Sequence, residues 1–187
     1  MFNILQEVKK HVCYDDREEN CKKQIIDFLN IGNNSFSRTN LEGHITAGGF
    51  VCDGLGNILL NHHVASGMWF QFGGHSDGNS NSLEVALREI SEEAGITDIK
   101  LFSDGIFDLD VQKIPYSARK NEPEHFHYDI NFLFLVKDKS FEISDESMEI
   151  KWVTINEARK LVDKLDYAMH RMINKYEELV NNNFFCN

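Results

Sequence analysis

Basic residues are scarce in this chain: 19 lysines and arginines stand against 30 aspartates and glutamates, a formal net charge of −11. A surface that acidic repels polyphosphate backbones, which excludes long nucleic acid as a partner. A small phosphorylated ligand stays open, because a bound cation reverses the local field. Cysteine is sparse as well. Cys13, Cys21, Cys52 and Cys186 show no C-x-x-C spacing, so the expectation is reduced thiols in a cytosolic, cytoplasmic protein. No apolar run approaches the length needed to span a membrane. The opening MFNILQEVKKHVCYDDREEN lacks the long apolar core and small-residue cleavage site of a signal peptide. There is no internal repeat and no low-complexity tract. What remains is a chain of 187 residues, enough for one domain with a substantial core and a small appendage.

The informative stretch is residues 73–96, GGHSDGNSNSLEVALREISEEAGI. Its helical part runs from about Ser82 to Ala94. Asn81 suits the N-cap, Glu84 the third position of a capping box, and Gly95 the C-terminal stop. Leu83, Leu87, Ile90 and Ala94 form the expected buried stripe. Glu89, Glu92 and Glu93 fall, at ~100° per residue, in an arc of roughly 100° on another face. Three carboxylates that close repel one another, and a cation between them removes the cost. Oxygen-only donors favour a hard divalent ion, Mg²⁺ or Mn²⁺. A solvated acidic helix face is the alternative. The Gly73-Gly74 turn before the helix and Gly95 after it argue against that.

The stretch resembles the Nudix box: Gly, five residues, Glu, seven residues, then Arg-Glu-(apolar)-X-Glu-Glu-X-Gly-(apolar). Gly74, Arg88, Glu89, Ile90, Glu92, Glu93, Gly95 and Ile96 match at the right spacing, and Ser80 stands where the first glutamate belongs. The resemblance covers roughly residues 40–165. It implies a fold, a metal-binding helix, and hydrolysis of a phosphoanhydride in a small nucleoside-diphosphate-linked substrate. It also implies metal ligation by Glu89, Glu92, Glu93 and the Gly74 carbonyl. Arg88 then supports the acids, orienting Glu92 or Glu84. The general base is a helix glutamate, Glu92, or a loop carboxylate, for which Glu146 is the candidate and Asp145 and Glu149 its neighbours. His75 can reach a phosphate or leaving group. Trp69 can stack on a base, with core packing as its other role.

Around the box the pattern is mixed. Residues 1–40 read as an N-terminal helical arm packed on the main domain, with apolar clusters at Ile4, Leu5, Val8 and at Ile25, Ile26, Phe28, Leu29. Asp15 is its N-cap candidate. The arm is also a candidate dimerisation element, making a homodimer. Residues 41–180 form the Nudix-like domain and 181–187 a frayed tail. ITAGGFVCD and NILLNHH read as strands joined by the hairpin signal at Asp53–Asn57. Phe107, Leu109 and Val111 alternate with Asp108, Asp110 and Gln112 in a half-buried strand, and KIPYSARKNEPE (113–124) is a polar loop. In HFHYDINFLFLV, Phe126, Tyr128, Ile130, Phe132 and Phe134 face one way and His125, His127, Asp129 and Asn131 the other. The fold class is therefore α/β, a mixed sheet sandwiched between helices with an added N-terminal helical segment.

His125, His127 and Asp129 are zinc-ligand types on one strand face, but spacing fixes no third and fourth ligand. This strand and the FDLDVQKIP segment resemble a little-characterised Nudix subgroup that pairs a GGH-containing box with an H-x-H-Y-D strand. That resemblance implies a pocket lined by His125, His127, Asp108 and Asp110. Subgroup members usually carry an acid where Ser80 stands and a proline where Phe72 stands. Two other readings compete with hydrolysis: a catalytically weak nucleotide-binding module, suggested by Ser80, and an isopentenyl-diphosphate isomerase-like enzyme, which shares the fold and would need a reactive cysteine such as Cys52.

Overall fold

A computed structural model describes residues 3–32, 34–102, 105–117 and 121–185. Cys186 and residues 118–120 of the 113–124 loop lie outside them. In chain order the elements are α1 (Ile4–Lys10), α2 (Asp16–Ile31), β1 (Gly43–Cys52), β2 (Asn57–His63), β3 (Trp69–Phe70), β4 (Phe72–His75), α3 (Ser82–Ala94), β5 (Lys100–Leu101), β6 (Asp108–Ile114), β7 (His125–Leu135), β8 (Ser147–Thr154), α4 (Ile155–Leu161) and α5 (Tyr167–Asn181).

β1 organises the mixed sheet. One edge pairs in parallel with β7 over its whole length, Gly43↔Phe126 to Cys52↔Leu135. The other edge is divided: residues 46–49 pair with β4, and only Val51 and Cys52 pair with β2. The hairpin expected at Asp53–Asn57 is present, but it closes only that short ladder before β2 diverges to join β8 and β3. β6 and β5 extend the sheet beyond β7. All ten residues of β1 are buried, as a strand covered on both faces must be. Ile45, Ala47 and Val51 face one core with Phe28, Phe72, Ile90 and Phe132. Phe50 and Cys52 face the other with Leu133, Met172, Ile173 and Tyr176.

Several expectations are corrected. The N-terminal helix is split. Asp15 does cap α2, accepting from the Glu18 amide at 2.7 Å. The Glu18 side chain, however, reaches back to the Tyr14 amide and the His11 ring, each at 2.7 Å, and so holds the connecting turn. On α3 the Asn81 cap is present, but Glu84 bonds Asn79 instead of completing a capping box. The buried stripe is rotated to Val85, Ala86, Ile90 and Ala94; Leu83 and Leu87 pack at its margin. At the start of β7 the exposure is inverted: His125 is 4% exposed and Phe126 37%. Phe185, in the tail expected to fray, packs on Phe102 with ring centroids 4.4 Å apart.

Asp108 and Asp110 are the largest departure. Both are buried rather than lining a pocket. Arg171 on α5 grips Asp108 with two bonds, at 2.8 and 2.7 Å. Lys175 joins Asp108 to Glu18, both at 2.7 Å. A buried charge needs such partners, since water is not there to solvate it. The network ties α2, β6 and α5 together. Burial opposes ionisation of Glu18, yet the His11 hydrogen bond and Lys175 outweigh it and hold the carboxyl down at about 2.

Glu18→Gln should therefore lower unfolding free energy by about 3–5 kcal/mol, the usual cost of stranding one partner of a buried pair. Urea denaturation measures it. The folded carboxyl titrates below its ordinary 4.5, so its contribution is full above that pH and is lost as pH falls toward 2. The gap between wild type and variant should narrow over that window. A gap that stayed constant with pH would show that the ionised carboxylate is not what stabilises the turn.

Candidate active site

The divided edge of β1 sets the site. Where β2 and β4 separate, α3 lies across them. Gly74 faces the helix so closely that a Cβ there would fall 2.6 Å from the Glu89 carboxyl carbon. One turn further along, Glu93 enters the gap itself. It accepts from the Asn61 side-chain amide on β2 at 2.7 Å and from the Gly73 amide on β4 at 3.4 Å. Glu93 is therefore buried, at 6% exposure, and not on an open cleft face as the helical arc suggests. Burial pushes its pKa up to about 7; the two hydrogen bonds pull it back, and the charges of Glu89 and Glu146 add to the rise. The Glu89 pKa is also raised, first by burial, with Arg88 opposing and Glu92 and Glu146 reinforcing.

Arg88 pairs with Glu89 at 2.8 Å and reaches Glu92 at 3.7 Å, while donating to the His75 carbonyl at 2.9 Å. It thus orients Glu89 first and ties the helix to the end of β4. Glu92 is largely exposed. Glu146 stands in the loop before β8, exposed, 3.9 Å from the His63 ring. That loop is docked by the Val64 amide on the Glu146 carbonyl, 2.9 Å. Its charge adds to the rise in pKa of both Glu89 and Glu93. Ser80 is exposed in the turn before α3.

These donors fit a hard divalent cation. All are oxygens, two are crowded and partly desolvated, and the glycine cradle would be filled by any Cβ. Asn61 is the residue that sequence reasoning missed. Its one signal is a polar residue directly after the apolar run Ile58-Leu59-Leu60.

The histidines lie elsewhere. Consecutive strand residues face opposite ways, so His75 points away from Glu89, which sits over Gly74. It joins His44, His125 and His127 on the other sheet face. Burial, with the charges of Arg38 and His44, pushes His75 down to about 4. His44, also overlooked in the sequence, is 2% exposed. Burial lowers its pKa, and the Asn40 backbone offsets this in part. Trp69 stacks on His62, centroids 4.7 Å apart, at the margin of the second core. A cavity of about 560 Å³, lined by His11, Ile106, Phe107 and Leu179 among others, holds none of the box carboxylates.

A family model described as the NUDIX domain matches residues 43–176. The chain belongs to the Nudix family. It is 36% identical over 106 residues to a bis(5'-nucleosyl)-tetraphosphatase [asymmetrical] of Rattus norvegicus, covering 56% of this chain and 67% of that one. It is 29% identical over 72 residues to a probable DHNTP pyrophosphohydrolase of Lactococcus lactis subsp. cremoris (strain MG1363). That match spans 38% of this chain and only 42% of the relative. Among solved structures, the MutT protein from Methanosarcina mazei Go1 superposes with TM-score 0.58 at 18% identity, over 74% of this chain and 96% of that one. At that identity the likeness shows the fold, a curled mixed sheet with flanking helices, and no more. Among the described residues of this Nudix chain, no helix is long and apolar enough to cross a membrane.

Gly74→Ala tests the cradle. The added methyl must displace the Glu89 carboxyl, since the two would overlap at 2.6 Å. Circular dichroism should remain native while Mn²⁺ binding, by isothermal titration, weakens about 10–100-fold, the range typical when ligand support is lost. Unaltered Mn²⁺ affinity would remove Gly74 from the metal cradle.

Proposed function

We propose that the protein hydrolyses a phosphoanhydride bond in a small nucleoside-diphosphate-linked substrate with Mg²⁺ or Mn²⁺. The observation that carries this is the pair of partly desolvated carboxylates, Glu89 and Glu93, held against Gly73 and Gly74 of β4 with Arg88 and Glu146 beside them. The named activities of the rat and L. lactis relatives, both on polyphosphate compounds, support it. Glu89, Glu92, Glu93 and the Gly74 carbonyl hold the ion. When bound, it neutralises phosphate charge and lowers the pKa of attached water.

The chain's own residues do the rest. Arg88 keeps Glu89 turned toward the site. Glu146 takes the proton from the attacking water; its exposed carboxylate, close enough to act on Glu89 and Glu93, suits a base that must exchange protons with solvent. Glu92 is the second candidate for that role. Trp69 flanks the part of the substrate remote from the cleaved bond; His75, His125 and His127 lie on the other sheet face and take no part in that contact. The GGH box and H-x-H-Y-D strand support, in this reading, membership of the little-characterised Nudix subgroup.

The exposed Ser80 favours one second reading, a nucleotide-binding module with weak catalysis. The isomerase-like reading is not supported by Cys52. It is fully buried beside Phe50 and Tyr176, and burial pushes its thiol up to about 12, unsuited to acid/base exchange near neutrality.

The test is a panel of dinucleoside polyphosphates, DHNTP, nucleotide sugars, ADP-ribose, coenzyme A and nucleoside triphosphates, each with Mg²⁺ and Mn²⁺. On the best substrate, Glu92→Gln and Glu93→Gln should each lower turnover at least ~100-fold with native circular dichroism. Near-normal turnover in both would dismiss the acid cluster as the catalytic centre. Thermal stabilisation by a nucleotide that is never cleaved would support the binding module instead.

A further inference from the structure

We propose that His44, His75 and His127 form a mononuclear transition-metal site, separate from the carboxylate site, with His125 positioning His127. Three strands build it. His44 on β1 stands directly opposite His127 on β7 in the parallel ladder. On the other edge of β1, His75 pairs with Thr46, two residues along and therefore on the same face. The three rings form a nearly equilateral triangle, with centroids 4.9, 4.9 and 5.1 Å apart. One nitrogen from each lies within 4.8 Å of the others. Ligand nitrogens on one tetrahedral ion, at bonds of about 2.0–2.1 Å, stand roughly 3.3 Å apart. Small ring rotations close that difference.

Two independent observations point to a ligand here. His44 is 2% exposed, and its ring meets the Asn40 backbone only outside strict hydrogen-bond geometry. A buried imidazole so weakly paired is costly unless a further partner binds it. His127, in turn, carries the support expected behind a metal ligand. The Pro123 carbonyl can only accept, so His125 donates to it from Nδ1, at 2.8 Å. That leaves His125 Nε2 to accept from His127 Nε2, at 3.1 Å. The proton of His127 is thereby fixed on Nε2, and Nδ1 is its unprotonated nitrogen. A second ring N–H bonded outward in this way orients a ligating histidine. Among the described residues, Arg38, whose charge reaches His75 and His44, is paired twice with Asp77 at 2.7 Å.

Neutral imidazoles select zinc, cobalt, nickel or copper over Mg²⁺. Three ligands leave a fourth position, and the half-exposed His75 and His127 leave it on the accessible side, open to water or an anion. The site does not depend on the proposed hydrolysis: the carboxylates that would hold Mg²⁺ lie on the opposite face of β4.

Co²⁺ is the probe. Chelator-stripped protein titrated with Co²⁺ should show one equivalent with the intense visible bands of tetrahedral coordination, displaced by Zn²⁺ and not by Mg²⁺. Glu89→Gln and Glu93→Gln should keep those bands. His75→Ala and His127→Ala should lose them. His125→Gln should keep the spectrum and weaken binding about 10–100-fold, as loss of an orienting partner does. The proposal is overturned if wild-type protein shows no such bands. It is equally overturned if His75→Ala and His127→Ala bind like wild type, or if Glu93→Gln alone abolishes the signal. Should a histidine variant fail to fold, X-ray absorption of the wild-type zinc complex decides. Imidazole nitrogens at about 2.0–2.1 Å support the site, and an oxygen-only shell overturns it.

Discussion

Ile90 of α3 packs where Gly49 of β1 has no side chain, against Phe134 from β7. That contact sets how near the helix lies to the sheet, and the acid site depends on the distance. With the helix so close, Glu89 comes to rest on Gly74 and Glu93 passes between β2 and β4 to reach Asn61 and the Gly73 amide. A side chain at Gly49 or Gly74 would lift the helix or turn the carboxyls away. The glycines matter here for the volume they leave empty rather than for unusual backbone angles.

Such a site opposes folding. Burial and mutual repulsion raise the pKa of both Glu89 and Glu93, so ionising them near neutrality costs stability. A second buried cluster is arranged differently. There Glu18 and Asp108 are matched by Lys175 and Arg171, and the Glu18 pKa falls instead of rising. Both regions bury carboxylates; only one holds two cations of its own chain against them. The acid cluster, with Arg88 as its close cation, is left short of positive charge. That deficit is what lets it take a divalent ion.

Features written in local spacing were legible in the sequence. The box carboxylates, the Asp15 and Asn81 caps and the alternation of β7 all depend on residues a few positions apart, where helix and strand periods decide the outcome. Features that depend on strand pairing were not. Asn61 meets Glu93 only because β2 leaves β1 after two pairs, and nothing in NILLNHH announces that divergence. His44 is brought to His75 and His127 by the register of two separate ladders. The rotated stripe of α3 has a similar origin. Leu83 and Leu87 are the more apolar choice on paper, but Gly49 offers its space to Ile90, and the helix turns to fill it. Asp108 and Asp110 read as the wet side of a strand because their partners lie more than sixty residues away in α5.

The two faces of β4 then carry different chemistries one residue apart. Gly74 turns its missing side chain to oxygen donors, while His75 turns an imidazole to nitrogen donors. Hard ions that hold their water favour the first set and borderline transition ions the second. The sheet between them keeps the two donor sets from mixing around one ion. Arg88, which binds the Glu89 carboxylate and the His75 carbonyl together, is the direct mechanical link across that strand. Donor type and position along a single short strand are thus enough to separate an oxygen set from a nitrogen set.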